Sequence, residues 1–105
     1  MKDKRVEKLA NNLLTHSVNL QKGESILIEI LGEEGMPLGI EIMKQAEAIG
    51  AKPEFNIINY EILKEMLLNC SEEQIKLYAK HDLQRMQDMD AYIGIRASSN
   101  TAELN

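Results

Sequence analysis

Two acidic groups are the first places where this sequence could do chemistry. Gly32-Glu33-Glu34-Gly35 follows the apolar run Ile26 to Leu31 and precedes Pro37. A strand that ends in a glycine loop and feeds a helix is a common seat for a phosphate or cofactor, because the helix N-terminus offers free N–H groups and the positive end of the dipole. This loop brings its own negative charge. Glu33 and Glu34 would repel a phosphate, and the spacing matches neither G-x-G-x-x-G nor G-x-x-x-x-G-K-[ST]. The ordinary role of the pair is to complement the helix dipole, worth about 0.3–1 kcal/mol each at exposed sites. The sharper role is to receive a cationic group, such as a peptide amine, in the crevice at the strand ends. Glu29 is the second group. A carboxylate inside an apolar strand is costly unless it faces solvent or finds a partner. The simpler expectation is that Glu29 faces solvent near the strand's end; otherwise Arg96, late in the third strand, is the expected partner if the first and third strands pair.

The remaining reactive side chains do not assemble. His16 falls on the polar flank of the first helix and His81 between two short helices, without the spacing of a zinc site. Cys70 is alone in an acidic stretch and reads as a reduced thiol. Ser17, Ser25, Ser71, Ser98 and Ser99 lack a nucleophile-elbow context. Met36, Met43, Met66, Met86 and Met89 suit helix faces as core filler. No nucleophile, base and oxyanion site come together, so no catalytic, cofactor-binding or metal-ligating residue is assigned in this chain.

The elements that must position these residues fit one domain spanning 1–105. The net charge of −5 and the few aromatics (Phe55, Tyr60, Tyr78, Tyr92) argue against nucleic acid as a partner, since phosphates need a basic stripe and bases a stacking platform. No apolar stretch nears the roughly 18 residues of a membrane span, and no apolar region follows the charged start as a secretory leader requires. A cytoplasmic protein is expected.

The pattern predicts a helix from Lys4 to Val18, with Val6, Leu9, Ala10, Leu13, Leu14 and Val18 on one face. A strand over Ser25 to Leu31 follows. The second helix starts near Pro37, buries Leu38, Ile42, Ala46 and Ile49, and stops at Gly50. Glu54 to Ile58 alternates as an edge strand does. Asn59 caps a helix from Tyr60 to about Asn69; Ser71-Glu72-Glu73-Gln74 opens a fourth through Ala79; Asp82 opens a short fifth through Asp88. Ala91 to Arg96 is the third strand and the polar remainder an exit loop. Strands alternating with helices call for a parallel sheet with right-handed crossovers. The expected fold is a three-layer α/β/α arrangement around a small Rossmann-like sheet of three strands in the order 2-1-3. The third strand is left with an open side, as in a chain cut from a longer one.

"HSVNLQKGESILIEI", read after the first helix, resembles the opening of the M29 metallo-aminopeptidases, the aminopeptidase T/AmpS group, whose helix runs into an "S-V-N-h-Q-x-G-[DE]" turn and a hydrophobic strand. Ser17, Val18, Asn19, Gln21, Gly23 and Glu24 carry the match. "AIGAKPEF", "SEEQIKLY" and "MDAYIGIRASSNTAEL" resemble later segments of the family in the same order. Lys22 and Thr101 stand where the family often has proline. The resemblance implies a cytosolic, metal-dependent exopeptidase that removes N-terminal residues from peptides. It implies a homodimer and a two-metal site (zinc, cobalt or magnesium) with Glu, His, Asp and Tyr ligands in a later catalytic domain. None of those ligands maps onto a position here. The chain is therefore expected to be the N-terminal domain alone, inactive by itself, with its own C-terminal catalytic domain as partner and a peptide as the enzyme's substrate. The competing reading is a stand-alone small-molecule-binding or regulatory module using the crevice near Glu33, Glu34 and Asn59. A nucleotide-dependent fragment is the weakest, for want of a phosphate motif.

Overall fold

The computed structural model of the chain describes residues 3–97. The order is α1 (Lys4–Asn12), a π-helical turn (Leu13–Ser17), β1 (Ser25–Leu31), a 3-10 turn (Glu33–Gly35), α2 (Met36–Ala48), β2 (Lys52–Ile58), α3 (Tyr60–Asn69), α4 (Glu72–Gln87) and β3 (Ala91–Arg96). The three strands form one parallel sheet in the order β2-β1-β3, the expected order. β1 is central because its residues are apolar toward both faces: Ile26, Leu27, Ile28 and Ile30 are all fully buried.

Alternate β1 residues serve different layers. Ile26, Ile28 and Ile30 pack with Ala10, Leu14, Ile42 and Ala46 of the first two helical segments, and Ile93 and Ile95 extend that core along β3. Full burial of such aliphatic side chains contributes about 1.5–3 kcal/mol each. Gly39 lets α2 lie directly on the strand: a Cβ there would sit 2.3 Å from Ile30 Cδ1. Leu27, Glu29 and Leu31 face the other way, in register with Glu54, Asn56 and Ile58 on one side and Tyr92, Gly94 and Arg96 on the other. Over this face α4 is tied by Arg85, which donates to the Phe55 carbonyl and lies 3.8 Å from the Glu54 carboxylate. No residue of α3 or α4 is fully buried.

Several boundaries differ from expectation. The first helix leaves α geometry after Asn12; Val18 N–H reaches back five residues to Leu13 O and the chain unwinds into Asn19. On α2 the buried positions are Gly39, Glu41, Ile42 and Ala46; Ile49 is exposed at the C-cap. Glu41 is tolerated there because Gln45 Nε2 donates to it at 2.9 Å and to Glu7 O at 3.0 Å, tying α2 to α1. Helices four and five are one continuous α4, since neither Gly nor Pro interrupts Lys80-His81-Asp82 and a cap-type residue alone does not break a helix. Asp90 fastens the start of β3 to the start of β1: its N–H donates to Ser25 O at 2.8 Å and its carboxylate accepts from Ser25 N–H at 2.9 Å. The expected exit loop, with Ser98, Ser99 and Thr101, lies outside the described residues.

Candidate functional site

The crevice at the carboxyl ends of the strands is where an open α/β sheet would hold a ligand. Here the strand ends close on one another. Gly32 N–H donates to Ile58 O at 3.3 Å, and Ala97 N–H donates to Leu31 O at 3.0 Å. Gly32 has φ +98, and a Cβ on it would lie 1.6 Å from Ala97 O and 2.9 Å from the Tyr60 ring. The main chain after β3 thus rests on the glycine where a ligand would lie. Glu33 and Glu34 are exposed, in the 3-10 turn ahead of α2. Asn59 is spent on its own helix, its Oδ1 accepting from Glu61 N–H and Ile62 N–H. The structure therefore does not gather Glu33, Glu34 and Asn59 into a pocket.

Glu29 is the polar group that the sheet does organise. It is half-buried between the outer strands, accepting from Asn56 Nδ2 at 2.9 Å and from the Tyr92 hydroxyl at 2.8 Å. Its partner is not the expected Arg96, which sits opposite Leu31. The Tyr92 ring reaches across Gly94, where an added Cβ would lie 2.8 Å from the hydroxyl oxygen. Burial pushes the Tyr92 phenol up to about 12, with the bond to Glu29 adding to the effect. A neutral phenol and a carboxamide on one carboxylate form a cross-strand clasp. Each carboxylate oxygen is taken by a hydrogen bond from a neighbouring strand, so the clasp ties β1 to β2 and β3.

The other candidates stay apart. His16 is exposed in the π-helical turn and His81 is exposed on α4. Cys70 is exposed just past α3. Ser71 is the N-cap of α4, accepting from Gln74 N–H at 3.1 Å. Among the described residues no three His, Cys, Asp or Glu side chains cluster so as to hold a metal ion, and no helix is long and apolar enough to cross a membrane. The donors in these residues do not fit a metal centre.

The S-V-N-h-Q-x-G-[DE] motif is also structural. Asn19 takes φ +48, one of the few left-handed conformations a side chain tolerates. Gln21 Nε2 donates to Asn19 O and Oδ1, Gln21 N–H donates to the Glu24 carboxylate, and Gly23 N–H donates to Gly50 O. Its polar residues hold the turn that aims β1 into the core. Sequence reasoning missed the Glu29–Asn56–Tyr92 clasp. Its available signal was one polar residue on the same face of each strand, Asn56 directly opposite Glu29 and Tyr92 two positions before Gly94, which is opposite Glu29 on the other side.

The sequence model described as thermophilic metalloprotease (M29) matches residues 2–105. The solved structure of wild-type AmpT from Thermus thermophilus is similar, with 26% sequence identity and a TM-score of 0.51. The match covers 67% of this chain and 18% of that one, so the chain spans under a fifth of the length of its structural relative. No curated protein matches significantly.

Proposed function

Because this chain belongs to the M29 family of metalloproteases, we propose that it is the N-terminal, non-catalytic domain of a metal-dependent aminopeptidase. The observation that carries this reading is the family match over residues 2–105. The similarity to a solved structure of which the match covers only 18% gives the same sense. In this reading the divalent metal, zinc, cobalt or magnesium, is held by the catalytic domain of the same polypeptide, and it supplies the activation of water for peptide hydrolysis. The described residues contribute no ligand set, so this chain's part is to fold, to wall the substrate cavity and to position its neighbour. The complete enzyme works as a cytoplasmic homodimer on peptides with a free N-terminus.

The stand-alone binding module is the poorer reading, because its crevice is filled by the main chain at Gly32 and Ala97. The test is an assay of the longest polypeptide that the gene encodes, beside the 105-residue chain. Release of N-terminal amino acids by the former, abolished by a chelator and restored by a divalent metal, with no turnover by the latter, is the expected result. Turnover by the 105-residue chain, or chelator-insensitive turnover by the longer one, overturns the reading.

A further inference from the structure

An apolar surface that the domain itself does not account for lies on α3. At about 100° per residue, the apolar residues Ile62, Met66, Leu63, Leu67, Tyr60 and Leu68 spread over roughly 240° of its circumference, interrupted only by Lys64. A helix that covers one side of a domain needs an apolar stripe of only about 100°, and a helix apolar over most of its girth is normally enclosed. Within this domain α3 is not enclosed. Leu63 and Met66 are half-buried and its other residues are exposed; Ile62, Leu67 and Leu68 are 71%, 56% and 68% exposed. Tyr60, Leu63, Lys64, Leu67 and Leu68 line a shallow groove whose walls are almost wholly apolar, since Lys64 contributes its hydrocarbon stem.

The character of this face selects its occupant. Its only charges are Glu61, Lys64 and Glu65, too few and too mixed in sign to steer a separate charged partner. Wide apolar faces belong to permanent interfaces. A second copy fits poorly: a two-fold pairing along the 60–68 stripe sets Lys64, its midpoint, against its own image in an apolar seam. A polypeptide of which this chain is a small part does supply a permanent cover, and the AmpT chain is matched over only 18% of its length.

The geometry points to α3, through Ile62, Leu63, Leu67 and Leu68, as the surface on which the metal-binding part of the same longer polypeptide docks. This rests on the function proposed above and deepens it by naming where the two parts meet. The catalytic part then completes the enclosure of α3.

Cys70, exposed immediately after α3, is a built-in reporter. The experiment follows maleimide labelling of Cys70, located by peptide mass mapping, and deuterium uptake over residues 60–70. Both are measured in the 105-residue chain and in the longest polypeptide of the gene, with chelator-sensitive peptidase activity read on the same sample. Labelling and exchange slowed at least about tenfold in the longer polypeptide support the docking surface. In that polypeptide, replacing Leu67 and Leu68 by Asp restores fast Cys70 labelling while β1 stays protected. An active enzyme whose Cys70 labels as fast as in the short chain overturns the surface and leaves the function standing. Protection of α3 without chelator-sensitive activity overturns the function and leaves the surface standing. Protection that already rises with concentration in the 105-residue chain assigns the face to a second copy, and a gene that ends at Asn105 removes the occupant; either overturns the proposal.

Discussion

The two faces of the β1 strand are built from alternate residues of one seven-residue segment, yet they are constructed differently. Toward α1 and α2 it presents Ile26, Ile28 and Ile30, enclosed by apolar helices that approach closely at Gly39. Toward α4 it presents Leu27, Glu29 and Leu31, bordered by Asn56, Tyr92 and Arg96 and held to the helix by Arg85. The first face satisfies itself by burying carbon. The second satisfies its polar groups by hydrogen bonds and leaves its helices with more apolar surface than the sheet can cover. A sheet can thus be finished on one side and left as a mounting surface on the other, with the polar clasp keeping the strands in register before anything is mounted.

The contrast is broken most readily at the strand ends. Gly32→Ala combines an unfavourable φ with a collision against Ala97 O, and a loss of about 2–6 kcal/mol is expected in urea unfolding. Ile28→Ala tests the finished face and should cost about 2–5 kcal/mol, whereas Leu68→Ala on α3 should stay within about 0.5 kcal/mol of the parent. Equal losses at Ile28 and Leu68 would abolish the distinction between the faces. Gly39→Ala, which pushes a methyl against Ile30, is expected to cost about 1–3 kcal/mol.

Smaller effects sharpen the second face. Tyr92→Phe removes one bond to Glu29 at a cost of about 1 kcal/mol. It should also erase the tyrosine transition near pH 12 when phenolate absorbance is followed with pH. Because the folded Tyr92 phenol is raised to about 12 while the unfolded one titrates near 10, its contribution is complete below pH 10 and is lost as pH climbs through 12. An unchanged titration in the Phe variant would remove the clasp. The smallest effect is expected at Asp3. Its carboxylate, the N-cap of α1, is held below its usual value chiefly by the Arg5 N–H. Its contribution is present above the unfolded carboxyl pKa and fades as pH falls through the lower folded value. The Asp3→Ala variant should show a weaker acid dependence of Tm than the parent.

The legibility of these features followed the range of the interactions behind them. The strand order could be read because β1 is apolar on both sides and β2 alternates, and those are local properties of single strands. The Asn59 and Ser71 caps could be read because each acts within three residues. The continuity of α4 was hidden because Asp82 has the chemistry of a cap and the chain around it gives no contrary signal. The partners of Glu29 were hidden because they lie 27 and 63 positions away, and finding them requires the register of two strand pairs at once. The closing of the crevice, which the competing reading left open, was hidden because the neighbour of Gly32 is main chain arriving from the far end of the domain. The sequence resemblance located the family through motif residues that turn out to shape a turn.

The doubled contact of Asp90 with Ser25 also bears on how the protein is made. The inner strand is complete early in synthesis, yet one of its edges finds its match only 65 positions further on. At about 5–20 residues per second, a ribosome takes roughly 3–13 s to deliver that segment. Throughout that interval the nascent chain carries a hydrophobic ribbon with unoccupied amides along one border, the very form that recruits other extended chains. Over that interval the segments between, α2 and β2 among them, are the parts of this chain that can cover it.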